Sequence, residues 1–494
     1  MDFFWRILRR QPQTVPGDRV IPLRFWDDRA YFRSSSHDYT FRFDDVLDIT
    51  KLRGALERLM EMGGWRQVGA RLRLNANGDL EYHIPPKYTE QRPAFMFTST
   101  KYGMGIDQHP DGSRLPKTSD HPFLAPSPSA FGALVRHADS PRLLDDWLYS
   151  DRPQLHIHVV QFQDATLLTV SHPHTLTDAG GRWSLLHAWI AVLEGREGDV
   201  PSFEGFQHDP LASLGVEVPK QQYLHFGQIV TGLRVIGLVF RYALEHLWYP
   251  RQEDRAICLP GQFVDRMRDT ARQGLVASSD SGPPAFLSDG DVLIAWWTRT
   301  VVTALRPALH RTVMLLNVVD IRSLFPSWFQ PRVAYIGNAA SPSYTLFRVH
   351  QCIQGSLGSL ASHNRQALIR HRTVDQVQAL AAVQRESRMR ATPLIGDSSS
   401  LVMACSNLHK GRWFDLDFSA AVVRPGIPLD QRANALGRPS YINVIEHTNG
   451  YPSRNVTRIL GKDAAGNWWL TCGLRRGAWS SIEKQLLELG KKAE

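Results

Sequence analysis

The chain of 494 residues is predicted to adopt a mixed α/β fold, because patterns typical of strands and of helices alternate along its whole length. Short runs rich in β-branched and aromatic residues, which favour strands, end at Gly, Pro, Asn or Asp. Between them lie apolar residues at helical spacing, preceded by Ser, Thr or Asp residues that can cap a helix. With 43% hydrophobic and 21% charged residues, the chain has the composition of a globular protein and is long enough for two or three domains.

The first part of the chain is predicted to hold strands, a helix and a hairpin. In order, we predict a strand at 20–26, a second strand at 39–44, a helix capped by Thr50 and ended by Gly63-Gly64, and a hairpin of 70–74 with 80–84. Residues 92–151 are rich in Pro, Ser and Asp and poor in periodicity. This segment is therefore predicted to be loop with one helix.

The remaining chain continues the mixture of strands and helices. A strand is predicted at 155–162, followed by a turn at Gln163-Asp164 and by the central stretch described below. A segment spotted with Pro and Gly then predicts a linker over 201–222. The later elements are, in order, a helix to about Tyr249, a strand and helix over 257–272, a helix after the S-x-x-D cap of Ser288 and Asp291, a strand at 313–322, the turn-bound segment Ala334–Asn338, a strand at 401–408, a strand from Trp468 and a helix from Ser480.

Charge and cysteine content exclude several classes of protein. The formal charge is +9, but Lys and Arg are spread along the chain without an arginine-rich arm or a zinc-finger spacing, which favours anionic small ligands over nucleic acid. Four distant cysteines without a C-x-x-C motif predict reduced, packed thiols. No secretory signal is recognisable, and the most apolar long segment, 226–240, is too short to span a bilayer. We expect a cytoplasmic protein without stable membrane insertion.

The stretch from Ala165 to Leu193 combines a buried strand, a polar turn and a helix. The strand at 165–171 leads to a turn with His174 and Asp178, then to Gly180-Gly181 and a helix with Trp183 on its apolar face. A histidine fixed at the end of a strand suits a general base that faces a cleft, because proton abstraction requires an accurately placed group that titrates near neutrality. The alternative is a hydrogen-bonded histidine in a loop beside a core helix.

Four histidines near this stretch could also bind a metal ion. His156 and His158 lie on the preceding strand, and counting back from the turn places His156 near His172, with His174 beyond. Imidazoles at positions i and i+2 project from the same face of a strand and could chelate. No carboxylate or cysteine completes an evident ligand set, so we expect no metal site.

Several further motifs follow one another along the chain. They are RLRLNANGDLEYHIP (71–85), SHPHTLTDAGG (171–181) before a tryptophan-bearing helix, the S-x-x-D helix, NVVDIRSLFP (317–326), YIGNAA (335–340) and FDLDFSAA (414–421). In this order they resemble the motifs of the BAHD-type acyl-CoA-dependent acyltransferases, and particularly their fungal secondary-metabolite branch. Each motif is weak by itself. Their common order over about residues 20–490 is strong evidence of fold.

The resemblance implies two similar domains of the chloramphenicol-acetyltransferase type, each a mixed β-sheet with helices, that meet along an active-site channel. We assign an N-terminal tail to residues 1–19, an N-terminal domain with the catalytic histidine to 20–200, a crossover linker to 201–222 and a C-terminal domain to 223–494. Acyl-CoA would enter the channel from one face as co-substrate and a small-molecule acceptor from the other, with no permanently bound cofactor. The family's usual state is a monomer.

The resemblance also assigns the catalytic motif to His174 and Asp178. His174 would take a proton from an acceptor hydroxyl as this attacks the thioester, with no covalent enzyme intermediate. Asp178 would be structural, turned away from the channel and paired with Arg322. Asp417 of the late motif FDLDFSAA would compete for the same arginine.

Further positions near the late motif complete the predicted site. Ser406 and Asn407, just before this motif, are candidates for contacts with the oxyanion or the substrate. Two positions depart from the family's pattern. Ala179 stands where glycine is usual after the aspartate, and Ser419-Ala420-Ala421 replaces G-W-G.

These motifs predict an O-acyltransferase that moves an acyl group, expected to be acetyl, from coenzyme A to a hydroxyl of a secondary metabolite; N-acylation is the less favoured variant. One alternative is a free-standing condensation-type domain that uses a carrier-protein thioester. Such domains usually have two adjacent histidines, whereas Pro173 separates His172 from His174 here. A second alternative is a non-catalytic relative that binds a small molecule. A serine hydrolase is excluded because the chain has no G-x-S-x-G motif.

Overall fold

The computed structural model describes residues 11–203, 205–276, 286–387, 389–449 and 454–491, so the first ten residues of the predicted tail lie outside the described residues. The strands in these ranges are β1 (Arg19–Pro22), β2 (Ser35–Phe43), β3 (Asp45–Leu47), β4 (Arg71–Leu74), β5 (Leu80–Ile84), β6 (Met96–Lys101), β7 (Phe123–Ala125), β8 (His156–Gln161), β9 (Thr166–Pro173), β10 (Gln252–Leu259), β11 (Thr312–Asp320), β12 (Ala340–Arg348), β13 (Leu401–Asn407), β14 (Val422–Pro425), β15 (Pro439–Thr448), β16 (Val456–Lys462) and β17 (Trp468–Arg475). The α-helices in the same ranges are α1 (Ala30–Ser34), α2 (Ile49–Glu61), α3 (Gly132–Val135), α4 (Leu144–Leu148), α5 (Ala179–Leu193), α6 (Leu233–Trp248), α7 (Gly261–Val276), α8 (Asp289–Leu305), α9 (Val349–Gln354), α10 (Leu357–His371), α11 (Val374–Arg385) and α12 (Trp479–Lys491).

Two large mixed sheets carry the fold. The five-stranded sheet has the order β15-β2-β9-β8-β6, and the seven-stranded sheet has the order β12-β11-β13-β16-β17-β10-β7. In the first sheet β6 runs parallel to β8, and in the second β13 runs parallel to both β11 and β16. The described residues also form a three-stranded sheet, β1-β5-β4, and the pair β14-β3. The predicted mixed α/β class with mixed β-sheets is therefore confirmed.

The two large sheets exchange strands across the predicted domain boundary. β15, from the predicted C-terminal domain, pairs with β2 at the edge of the five-stranded sheet. In the other direction, β7 pairs with β10 at the edge of the seven-stranded sheet, and β3 pairs with β14. Residues far apart in the sequence therefore meet between β2 and β15, beside the candidate site. The domain limits themselves stay a prediction.

Several elements with a strong local signal form where the sequence predicts them. β4 and β5 make the expected hairpin, and Asn75 Oδ1 closes its turn by accepting a hydrogen bond from Asp79 N at 3.0 Å. Ser288 caps α8: its hydroxyl oxygen accepts from Asp291 N at 3.3 Å, while the Asp291 carboxylate accepts from Ser288 N at 2.9 Å. Turns and capping boxes depend on residues three or four positions apart, which is why sequence patterns reveal them.

Other local predictions are wrong. The cap of α2 is Asp48, whose carboxylate accepts from Thr50 N at 2.9 Å and from Lys51 N at 3.1 Å, so Thr50 does not cap this helix. The segment 92–151 contains strands β6 and β7 as well as helices α3 and α4. Both strands are short and gain their partners from distant parts of the chain, so the local pattern does not reveal them.

Helix α5 is buried along most of its surface and supports the five-stranded sheet. Leu186 and Ile190 lie in the core, and Trp189 Nε1 donates to the Leu52 carbonyl at 3.0 Å. Trp183, which the sequence placed on the apolar face, is 41% exposed and stacks on His187 instead. The helix thus starts beside the candidate site and packs against helix α2.

The four cysteines are free and buried, as the sequence predicts. Burial raises the pKa of each thiol to about 12. They are therefore packing residues, since the thiolate is the reactive form. No helix in the described ranges is both long enough and apolar enough to span a membrane.

Candidate active site

His174 lies in the turn between β9 and helix α5. Its backbone N–H donates to the carbonyl of Ser35 on β2 at 3.0 Å, and its own carbonyl accepts from Asn338 Nδ2 at 3.0 Å. Asn338 is held in turn by Asp27, whose Oδ1 accepts from Asn338 N at 2.6 Å and from Asn338 Nδ2 at 2.8 Å. The turn is therefore fixed from two sides, by β2 and by the YIGNAA segment (335–340).

The imidazole of His174 is surrounded by aromatic rings but remains partly exposed. Its centroid lies 4.3 Å from that of Phe32, 4.8 Å from that of His37 and 5.5 Å from that of Tyr31. Atom Nδ1 is buried and faces the residue's own backbone. Nδ1 is thus the buried nitrogen, while the residue as a whole is partly exposed.

Burial lowers the pKa of His174 to about 4, although its own backbone carbonyl and the Asp178 and Glu446 carboxylates act in the opposite direction. The buried guanidinium of Arg182 adds to the lowering. The imidazole is therefore neutral at pH 7, with one nitrogen available to accept a proton. This is the protonation state that a general base requires, but the pKa of about 4 lies below the near-neutral value that the sequence analysis expects of such a base.

Asp178 and Arg322, which the resemblance pairs, are in contact. Arg322 Nη2 and Nη1 donate to the two carboxylate oxygens of Asp178 at 2.8 and 3.2 Å. The same carboxylate accepts from Gly181 N at 2.9 Å, which caps α5, and from Ala339 N at 2.8 Å. Burial alone would raise the pKa of Asp178, but Arg322 and these N–H groups hold that pKa below its usual value. The charged carboxylate thus ties the His174 turn, α5 and the YIGNAA segment together.

Gly180 and Gly181 are required by close contacts at the start of α5. A Cβ atom at Gly180 would lie 2.4 Å from Arg322 Nη1, and a Cβ atom at Gly181 would lie 2.0 Å from the Ile336 carbonyl oxygen. Ala179 is partly exposed and precedes these contacts. The departure at Ala179 therefore leaves the turn intact, because the need for glycine falls on the next two positions.

Asp417 does not join the ion pair of Arg322, so the predicted competition between the two aspartates is wrong. Its Oδ1 accepts from Ser419 N at 2.9 Å, and its Oδ2 lies 3.8 Å from Arg438 Nη2. Ser419 lies in the same turn as Asp417, and Arg438 directly precedes β15. The role of Asp417 in the structure is therefore to order the late motif locally.

The turn Ser419–Ala421, which replaces G-W-G, packs on the other half of the protein. The Ala421 carbonyl accepts from Asp48 N at 2.7 Å, just before α2. A Cβ atom on Gly437 would lie 2.2 Å from Ser419 N, so backbone segments pack closely here. The late motif thereby anchors the strand exchange of β14 with β3.

Ser406 and Asn407 end strand β13. Ser406 is in register with Arg458 on β16, and neighbouring residues on paired strands share a face of the sheet. Asn407 Oδ1 accepts from His409 N at 3.1 Å and closes the following turn. Ser406 thus lies on the face that carries Arg458, whereas Asn407 is engaged in the loop.

An ion pair beside His174 was missed by the sequence-based prediction. Glu446 on β15 accepts from the Tyr31 hydroxyl at 2.6 Å and forms a short ion pair with Arg458. Glu446 Oε1 also lies 3.9 Å from His37 Nε2. Tyr31 and Glu446 are separated by 415 positions. Sequence analysis could have revealed this group only by predicting that β2 pairs with β15.

The four histidines considered as metal ligands fall into two groups. The β8–β9 register pairs His156 with the residue before His172, and a shift of one residue moves a side chain to the opposite face. His156 Nε2 and His158 Nδ1 share the hydroxyl of Thr98 at 2.9 and 2.8 Å, whereas His172 accepts from a buried arginine at 2.9 Å. In the part of the chain that the structure describes, no three His, Cys, Asp or Glu side chains are placed to hold a metal ion.

Comparison with known proteins identifies the family. A model of the Transferase family matches residues 141–420, a range that includes the His174 turn, Arg322 and Asp417. The chain belongs to this family of BAHD-type acyltransferases. The predicted family is therefore confirmed.

Fungal relatives match the chain over nearly its whole length. The "Acetyltransferase adrJ" of Penicillium roqueforti is 42% identical over 496 residues, which cover 99% of this chain and 100% of that protein. The "O-acyltransferase pboC" of Aspergillus ustus is 38% identical over 451 residues, which cover 90% of this chain and 93% of that protein. The predictions of a fungal family member and of an O-acyltransferase are confirmed.

A solved structure has the same fold. The crystal structure of F. graminearum TRI101 complexed with coenzyme A and T-2 mycotoxin aligns with a TM-score of 0.68 and 15% identity, over 95% of this chain and 98% of that chain. At this identity the similarity concerns the fold alone. It confirms the predicted fold of the BAHD type.

Proposed function

We propose that this acyltransferase moves an acyl group, in the first place acetyl, from coenzyme A to a hydroxyl group of a secondary metabolite. The observation that carries the proposal is the position of His174, a partly exposed residue held in its turn by Ser35 and Asn338 with Nδ1 buried. Two relatives support the reaction class, since they are named acetyltransferase and O-acyltransferase. The donor and the kind of acceptor are supported by TRI101, which was crystallised with coenzyme A and a mycotoxin.

His174 acts as the general base in the proposed reaction. Its Nε2 accepts the hydroxyl proton while the acceptor oxygen forms a bond to the thioester carbonyl carbon, which produces a tetrahedral oxyanion. Collapse of this intermediate breaks the C–S bond, and the departing thiolate takes the proton back from the imidazolium. An alcohol is a poor nucleophile until a base removes its proton, and a positioned base is worth roughly a hundred- to ten-thousand-fold. Because the acyl group passes directly between substrates, no covalent enzyme intermediate forms.

Ser406 is the proposed contact for the oxyanion or the substrate. It ends β13 on the face that carries Arg458 and is partly exposed. A hydroxyl aimed at the developing negative charge stabilises the transition state more than the ground state. Asn407, the second candidate, supports the loop that leads to the late motif.

We further propose the organisation that goes with this reaction. Residues 20–200 and 223–494 form the two acyltransferase domains, with 201–222 as the linker, and the substrates reach His174 from opposite faces. Acyl-CoA is a co-substrate and not a bound cofactor. The protein works as a monomer in the cytoplasm, a location supported by its four free, buried thiols.

Coenzyme A, acetyl-CoA and longer acyl-CoAs are expected to stabilise the protein against heat. A ligand that binds only the folded state adds roughly 2.7 kcal/mol when its concentration is about a hundred times its dissociation constant. Differential scanning calorimetry of the purified protein with each ligand measures this as a rise in melting temperature. The acyl length that gives the largest rise identifies the preferred donor.

If the acyl donor is instead a carrier-protein thioester, we expect a different result in the same experiment. A condensation-type domain would respond to an acylated phosphopantetheine carrier protein and not to free coenzyme A species. An unchanged melting temperature with all of the CoA species would contradict the proposed donor. Adenosine alone serves as the control for binding that does not involve the thioester arm.

The rate of acyl transfer is expected to stay nearly constant between about pH 8 and about pH 5.5, because burial lowers the pKa of His174 to about 4. An unperturbed histidine would lose roughly nine-tenths of its basic form by about pH 5.5, since its pKa is about 6.5. The measurement is kcat/KM for acetyl-CoA across this range, with circular dichroism at each pH to verify folding. An inflection near pH 6.5 would show that the base is not the buried, neutral imidazole of the structure.

A further inference from the structure

Helix α6 presents its apolar face to solvent. It has 16 residues, and its large exposed side chains are Leu233, Ile236, Val239, Phe240, Leu247 and Trp248. Phe240 is 63% exposed and Trp248 is 75% exposed. The positions 233, 236, 240 and 247 follow helical spacing and therefore form one continuous stripe.

Two contacts of α6 with the rest of the protein lie about 120–140° around the helix from Leu233, and a third lies beside the stripe at Gly237. Leu238 is its buried residue, Gly237 faces Ser398, and the carbonyl of Glu245 accepts from Arg454 at 3.5 Å. A surface helix of a globular protein normally turns its apolar stripe inward. The orientation of α6 is the reverse, and a contiguous exposed apolar patch of this kind marks an interaction surface.

The charges and aromatic residues around the stripe indicate what covers it. Arg234 and Arg241 are exposed on one flank of the helix, and Arg251 is exposed just beyond its end. Glu245, the one acidic residue within α6, lies on the same flank as Arg234, about 20° from it around the helix axis; it is half-buried, whereas Arg234 and Arg241 are exposed. Trp248 stands at the end of the stripe, as aromatic residues do at membrane interfaces. An apolar stripe with exposed arginines along one flank and beyond its end is complementary to an anionic phospholipid surface.

We propose that α6 docks this protein on an anionic phospholipid bilayer, with the helix lying in the plane of the interface. The stripe enters the boundary between headgroups and acyl chains, and the flanking arginines contact the lipid phosphates and carboxylates. This is binding to the surface and not insertion across the bilayer, since α6 is shorter than the roughly 20 apolar residues that a span requires. The inference is independent of the proposed reaction, because α6 contributes no residue to the site around His174.

Flotation of the full-length protein with lipid vesicles tests this proposal. Binding is expected to vesicles of phosphatidylcholine with phosphatidylserine, and it should weaken with phosphatidylcholine alone and at high salt, which screens the arginines. The double variant Ile236→Glu/Phe240→Glu is expected to lose at least about tenfold in vesicle partitioning, because two apolar side chains no longer enter the interface. Arg234→Gln and Arg241→Gln should each lose about fivefold on the anionic vesicles only.

Control measurements distinguish binding of a membrane from other ways in which the apolar stripe of α6 could be covered. Ile369→Glu, on helix α10 at a residue that is 60% exposed, should leave partitioning unchanged, and circular dichroism with a cooperative thermal transition shows whether each variant is folded. The proposal is overturned if the parent fails to float with anionic vesicles. It is also overturned if Ile236→Glu/Phe240→Glu floats like the parent while removal of residues 1–10 abolishes flotation. A dimer in analytical ultracentrifugation that this double variant dissociates, without vesicle binding by the parent, would assign the stripe to a second copy.

Discussion

Replacement of His174 by alanine is expected to lower acyl transfer from acetyl-CoA by roughly a hundred- to ten-thousand-fold, the range that a positioned base contributes. The loss should appear in kcat, because the imidazole acts on the proton that moves in the transition state and adds little to substrate binding. Thiol release from acetyl-CoA measures the rate, with water as a slow acceptor or with a hydroxylated acceptor found by screening.

Two features of the structure make this variant informative. The His174 turn is held by its backbone, through Ser35 and Asn338, so truncation of the side chain leaves both hydrogen bonds in place. The melting temperature and its rise with coenzyme A are therefore expected to remain close to those of the parent. His187→Ala is the matched control, because His187 is an exposed histidine on α5, the helix that follows the His174 turn, and lies outside the site. Activity of His174→Ala within tenfold of the parent would refute the role of the base.

The parts of the fold that the sequence predicts correctly are those encoded by neighbouring residues. The hairpin of β4 and β5, the capping box of Ser288 and Asp291, and the strand and helix around His174 all follow from patterns a few residues long. The ion pair of Asp178 with Arg322 could not be predicted from a local pattern, because the two residues are 144 positions apart. Only the resemblance to the family predicted it.

The features that the sequence does not predict correctly depend on pairing between distant strands, or on a choice between residues with the same local preference. Thr50 and Asp48 are both residue types that favour the N-cap position, so the sequence pattern does not decide between them. In the structure Asp48 occupies the N-cap of α2. The group of Tyr31, Glu446 and Arg458 forms because β15 crosses to the other sheet and pairs with β2. A register error of one residue likewise misplaced His156 relative to His172, since strand faces alternate with every residue.

Asp178→Ala is expected to damage both folding and rate. The buried carboxylate of Asp178 forms an ion pair with the Arg322 guanidinium. It also accepts hydrogen bonds from Gly181 N, in the first turn of α5, and from Ala339 N. Removing one member of a buried ion pair leaves the other charge uncompensated, which costs about 3 to 5 kcal/mol of the free energy of unfolding. Because the same carboxylate connects the His174 turn to the YIGNAA segment, the imidazole loses its fixed position, and the rate should fall as well.

A double-mutant cycle separates the ion pair from the hydrogen bonds of Asp178. Asp178→Ala, Arg322→Met and the combined variant are compared by thermal or urea unfolding. The combined variant should be more stable than the sum of the single losses predicts, because it removes the uncompensated guanidinium. Asp199→Ala breaks the exposed pair with Arg196 and serves as the matched control, with little change expected because solvent screens that pair. If Asp178→Ala is as heat-stable as the parent, the carboxylate does not hold the turn, and any loss of rate would have to come from direct participation of Asp178 in the chemistry.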